Sequence, residues 1–121
     1  MRKQAGQPPK RPNTYSLLPA DEVLLDLVQH QTFTYFWDAA HQPSGMAFDR
    51  ISAMRTIENV PIATGGTGAG VMAMIVAAER RWVRRGEAVE RLSRILTYLE
   101  TAVNYYGAFP HFFDVVTGQE F

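Results

Sequence analysis

The stretch Ala69-Gly70-Val71-Met72-Ala73-Met74-Ile75-Val76-Ala77-Ala78 decides the fold, because no side of it carries a polar residue. Its pattern predicts a helix over about 68–83, and a helix that is apolar all round must be covered on most faces. Upstream, Leu24, Leu27, Val28, Phe33, Phe36, Trp37 and Ala40 recur at helical spacing. They predict a helix over about 20–40, with Asp21 and Glu22 at the end where the helix dipole favours acids. Downstream, Ala88, Leu92, Ile95, Leu96, Leu99 and Val103 form one stripe, opposite Glu90, Arg91 and Arg94. That amphipathic helix is expected over about 86–103, closed by Gly107 just beyond Tyr105-Tyr106. The short link Arg84-Arg85-Gly86 makes the second and third helices an antiparallel hairpin. Three helices cannot enclose one that is apolar on every face. The chain is therefore expected either to self-associate through exposed apolar helix surface or to be an excerpt of a larger helical assembly. No internal repeat is visible in the sequence.

The bulk numbers are those of an ordinary globular chain. With 121 residues, 46% of them apolar, one domain at most is expected. Twelve basic residues balance twelve acidic ones, which removes any global electrostatic argument for nucleic acid or an anionic membrane surface. The absence of cysteine excludes disulfides and cysteine-ligated metals. Residues 1–18 are Pro-rich and basic, with Pro8-Pro9-Lys10-Arg11-Pro12 at their centre, and are read as a flexible solvated arm before an ordered region over 19–121. Tyr15-Ser16-Leu17-Leu18-Pro19 is too short for the apolar core of a secretory signal. No stretch approaches the roughly 18 uninterrupted apolar residues of a membrane span.

Between the first two helices lies a long connection punctuated by Pro43, Gly45 and Pro61. A connection of about 25 residues without regular structure often lines a site. It contains Asp49-Arg50, which is either a local ion pair or an arginine fork oriented by its neighbour toward substrate hydroxyls. It closes on Thr64-Gly65-Gly66-Thr67-Gly68-Ala69-Gly70. That run is not a phosphate cradle, for no Lys-Ser/Thr follows it and its glycines miss the dinucleotide spacing. It reads as a tight turn into the helix, with Thr64 and Thr67 hydroxyls as the alternative polar ligand contacts. His30, His41 and His111 are too scattered for a metal motif. His111 differs from the others because it sits in Phe109-Pro110-His111-Phe112-Phe113. An aromatic wall with a polar tip suits a sugar ring, and a packed β-segment would look similar. A strand-turn-strand piece is expected to close the chain, turning at Val115-Val116-Thr117-Gly118. Arg80, Arg81, Arg84 and Arg85 read as a solvated surface.

Five ordered blocks carry a family resemblance: Phe33-Thr34-Tyr35-Phe36-Trp37-Asp38, Ser44-Gly45-Met46-Ala47-Phe48-Asp49-Arg50, Ala63-Thr64-Gly65-Gly66-Thr67-Gly68, Ala78-Glu79-Arg80 and Gly107-Ala108-Phe109-Pro110-His111. In order and spacing, over about residues 20–121, the chain resembles the glycoamylase-like family. Its members include bacterial endo-β-1,2-glucanases and a domain of cyclic β-1,2-glucan synthases. The resemblance implies a mainly α fold, the first helical hairpins of an α/α toroid of six, with a short β-hairpin at the C-terminal end. It also implies hydrolysis of β-1,2-linked glucans, by inversion in the endo-glucanases. A family motif of the form Asp-x-Gly-Gly-Asp-Leu-Val-Glu-Thr would follow the aromatic segment, and this chain has no such stretch.

No catalytic residue is therefore carried over, although Asp38, Asp49, Glu58 and Asp114 are the acids nearest the expected site loops. The resemblance implies substrate-lining roles for Asp49, Arg50, Thr64, Thr67 and His111. Phe112-Phe113 stands where the family often has a Trp-containing pair, which alters the stacking surface. The family is usually periplasmic or secreted, and the first residues show no export signal. No cofactor or metal is expected. The expected function is a partial glycoside hydrolase-like domain, an N-terminal portion that contributes binding surface for β-glucan oligo- or polysaccharide and is inactive alone. The alternative is a small non-enzymatic helical module that oligomerises and binds carbohydrate or protein.

Overall fold

The computed structural model describes residues 18–54 and 57–121. Apart from Leu18, the arm expected over 1–18 lies outside the described residues. The elements run α1 (Pro19–Trp37), β1 (Ile62–Ala63), α2 (Thr64–Glu79), α3 (Arg85–Thr101) and β2 (Phe112–Phe113). The fold is mainly helical, as expected, with a very small sheet beneath the helices.

The helix starts follow local chemistry. In α1 the Asp21 carboxylate accepts from the Leu18 amide at 3.3 Å, and in α3 Glu87 accepts from the Arg84 amide at 2.8 Å. Each acid satisfies an amide that the first turn leaves without a partner. Helix α2 begins at Thr64 and not at Gly68, so the glycine-rich run is helical and not a turn. Glycine disfavours a helix interior by ~1 kcal/mol per residue; here packing outweighs it. A Cβ on Gly70 would stand 3.0 Å from Cδ1 of Phe36, so the small residue lets α2 lie close against α1.

Helix α2 also ends earlier than expected, at Glu79. Arg81 takes a φ of 60°, while Trp82 N donates to Ala77 O at 2.9 Å and Arg81 N to Ala78 O at 3.2 Å. That is a Schellman ending with an arginine where glycine is usual. Trp82 then tucks against α1, with ring centroids 4.9 Å from His30 and 5.8 Å from Phe33. Arg80 joins the same contact through Asp26 at 2.7 Å. The link to α3 thus centres on Arg81, not on Gly86.

Strand β1 pairs antiparallel with β2, Ile62 opposite Phe113 and Ala63 opposite Phe112. On its other side Phe48 bridges to Ile62, and beyond β2 Phe113 bridges to Glu120. The terminal turn is real, closed by Gly118 N to Asp114 O at 2.9 Å, but the main partner of β2 is β1. Ile62 and Phe113 are completely buried at the centre of a core that includes Phe33, Met46, Phe48, Met74 and Ile95.

Coverage elsewhere is incomplete. Leu24, Leu27 and Val28 of α1 are more than half exposed, as are Met72 and Ile75 of α2 and Leu96 of α3. The stripe expected of α3 accordingly buries only Ile95 fully. Arg91, expected on the solvent side, lies instead over the Trp37 ring at 4.6 Å and donates to the Trp37 carbonyl at 3.2 Å. No described helix is long and apolar enough to cross a membrane.

Candidate functional site

The small sheet brings the expected site residues to two places. At the first, β1 runs without a loop into α2, and the last residues before β2 lie alongside. Thr64 N donates to the His111 carbonyl at 3.0 Å, and Thr64 Oγ1 donates to the Pro110 carbonyl at 2.7 Å. Both bonds fix the His111 backbone against the first turn of α2. The His111 side chain is left at the surface, its ring edge-on to Phe112 at 4.2 Å. Its Cε1 would be 3.9 Å from a Cβ on Gly65. Gly65 and Gly68 are both exposed, and a Cβ at Gly68 would meet nothing within 4 Å. The result is bare helix backbone beside an imidazole, an open surface that a flat polar ring can approach.

Thr67 belongs beneath this surface. It is 5% exposed; its hydroxyl donates to the Ala63 carbonyl at 2.7 Å and accepts from the Ala47 amide at 3.0 Å. Its hydrogen-bonding capacity inside the chain is committed to backbone, tying α2 to the loop that carries Asp49.

Asp49 and Arg50 form the second place. Asp49 N donates to the Pro61 carbonyl at 2.9 Å, so Asp49 sits opposite Pro61, three positions before Thr64 or about 10 Å along the strand direction. Arg50 Nη1 meets Asp49 Oδ2 at 2.9 Å, with the Arg50 side chain largely in solvent. The local pair read from the sequence therefore exists, and its cation also faces outward. Tyr35, which the sequence reading did not single out, supports this loop. Its hydroxyl donates to the Phe48 carbonyl at 2.6 Å, and burial, reinforced by the nearby Asp49 charge, raises its pKa. A tyrosine within an aromatic helix end gives no separate sequence signal of that kind.

Two further acids, Asp114 and Glu87, have partners of their own. Asp114 accepts from Thr117 N at 2.7 Å, Val116 N at 2.9 Å and Thr117 Oγ1 at 2.9 Å. The Thr117 amide and hydroxyl, with the Val116 amide, lower its pKa and keep it ionised as the cap of the terminal turn. Hydrogen bonds from the Arg84 side chain and backbone bring Glu87 down to about 2. Both shifts run opposite to what a general acid at neutral pH requires. No group of three or more His, Asp or Glu among the described residues could hold a metal ion.

No family model matches the chain. It is 41% identical over 99 residues, 82% of its length, to an exo-β-1,2-glucooligosaccharide sophorohydrolase (non-reducing end) of Parabacteroides distasonis. The structure superposes on the Chitinophaga pinensis endo-β-1,2-glucanase, solved with sophorotriose and glucose, with a TM-score of 0.74 and 40% identity. That match covers 84% of this chain and 25% of the other. A Bacteroides fragilis protein provisionally named a glucoamylase gives a TM-score of 0.76 and 36% identity, over 89% of this chain and 26% of that one. The chain spans only 13% of the length of the curated relative. It is a relative of the glucoamylase-like β-1,2-glucanases and sophorohydrolases and corresponds to a small part of their α/α toroid.

Proposed function

We propose that this chain supplies one wall of a β-1,2-glucan binding site in a glycoside hydrolase-like domain and does not hydrolyse glycosidic bonds by itself. The observation that carries the reading is the exposed surface of His111, Gly65 and Gly68, pinned in place by the two hydrogen bonds of Thr64. His111 offers a polar edge beside an aromatic ring, while the helix backbone allows a pyranose to approach closely. Arg50, oriented by Asp49, reaches sugar hydroxyls at the far end of the wall. Thr67 acts from below by holding the loop and helix together.

Hydrolysis by inversion requires one carboxylic acid to protonate the leaving oxygen and a second carboxylate to activate water. Asp114 and Glu87 are both held in the ionised form by their partners, so neither suits the acid role. On this reading the purified 121-residue chain binds sophorotriose in calorimetry and releases no reducing ends from β-1,2-glucan. His111→Ala should weaken that binding about tenfold. Reducing ends above the buffer control would overturn the statement about catalysis.

The exposed Met72, Ile75 and Leu96 favour a second reading, a non-enzymatic helical module that pairs through this surface. A stable, well-folded dimer in light scattering, with no affinity for the sugar, would select it.

A further inference from the structure

Between α3 and β2 the chain makes a miniature hairpin whose tip carries an exposed tyrosine. Tyr105 N donates to Ala108 O at 2.8 Å and Ala108 N to Tyr105 O at 3.0 Å. The two residues between them have positive φ, 54° at Tyr106 and 87° at Gly107, the pattern of a type I′ turn. That turn selects Asn-Gly or Asp-Gly, because a left-handed φ is unfavourable for any residue with a bulky side chain. Tyr106 nevertheless occupies the first central position. Its ring packs on nothing to offset the strain, being fully exposed at 109%.

The hairpin beneath it is firmly built. Gly107 N donates to Asn104 Oδ1 at 3.2 Å, and the Tyr105 hydroxyl donates to Glu120 Oε2 at 2.7 Å. A turn required only to reverse the chain would be more stable with Asn at its tip. A strained, exposed ring on a braced support is the arrangement expected of a contact surface.

We propose that Tyr106 is an outlying sugar platform, stacking its ring on the apolar C–H face of a glucosyl unit beyond those held at His111. The proposal rests on the glucan reading above and extends it outward. Tyr106 and His111 are five positions apart in the chain, a span of at most ~18 Å, so one oligosaccharide can touch both. Asn104 and Glu120 at the hairpin base provide polar neighbours for the sugar hydroxyls that flank an apolar ring face.

The test uses the 121-residue chain with two probes, sophorotriose and a longer β-1,2-linked gluco-oligosaccharide. Tyr106→Asn removes the ring and installs the preferred turn pair, so the melting temperature should rise. Sophorotriose affinity should stay unchanged, while affinity for the longer probe should fall about fivefold, the scale of one aromatic stacking contact. Tyr106→Trp should retain the affinity for the longer probe. Equal affinity of wild type and Tyr106→Asn for the longer probe overturns the platform and leaves the His111 surface standing. Failure of wild type to bind either probe overturns the glucan reading and the platform with it.

Discussion

The two sides of α2 differ in how completely this chain packs them. Toward the sheet and α1, Thr67, Gly70, Met74 and Ala77 are buried against Phe36 and the core around Ile62 and Phe113. On the outer side, Met72 and Ile75 are about two-thirds exposed, and a groove of about 340 Å³ opens between α2 and α3, lined by Val71, Ile75, Val89 and Leu92. One face of the helix is finished and the other is not. The sequence of α2 is apolar on both, so its pattern describes an environment larger than these residues provide. The relatives, several times longer than this chain, agree with that.

Substitutions can break this contrast most sharply at the core. Phe113→Ala removes the largest completely buried side chain and should destabilise the chain by about 3–5 kcal/mol in urea unfolding. Ile75→Ala, on the outer face, should stay within about 0.5 kcal/mol of wild type. A large loss from Ile75→Ala would mean that the outer face is already covered, for instance by a second copy.

A gain of intermediate size is expected where α2 turns away from its packed side. Arg81 sits at a φ of 60°, and Arg81→Gly should stabilise the fold by about 1 kcal/mol, read as a higher unfolding midpoint. No gain would mean that the arginine side chain makes a compensating contact.

The smallest effect concerns pH on the packed side. His41 Nδ1 lies 2.8 Å from the completely buried Ser44 hydroxyl, and burial lowers the His41 pKa below 6.5. The folded state then binds fewer protons than the unfolded one between the lowered value and 6.5. The stabilisation is present above pH 6.5 and is lost as pH falls through that window. Thermal unfolding followed from pH 7.5 to 5 should show a modest decline (about those limits, set by the histidine range) that His41→Gln removes. An identical decline in the variant would assign it to other groups.

Much of the architecture was legible because it is local. The aromatic end of α1, the apolar α2 and the amphipathic α3 each follow from spacing, and the five blocks led to the right relatives. The boundaries of α2 were not legible. Its glycines read as a turn, whereas the Thr64 bonds to Pro110 and His111 carry the helix through them. Its end carries no glycine to mark it, since Arg81 takes the left-handed position where glycine is usual. Pairing of Ile62 with Phe113 joins segments about fifty residues apart, and no local pattern announces such a contact. In the site, sequence named Thr64 and Thr67 together; the structure separates a partly exposed residue that pins His111 from a buried one that ties helix to loop. Tyr35 and Tyr106 were missed for opposite reasons, one looking like ordinary core and the other lying in a segment read only as a helix end.

The most direct test is a titration of the isotopically labelled chain with sophorotriose, following backbone amide shifts. Progressive shifts are expected, concentrated at Gly65, Gly68 and His111, with smaller ones at Asp49 and Arg50, and an intact trisaccharide at the end. Shifts confined to the outer faces of α2 and α3, no shifts at all, or the appearance of glucose would contradict it.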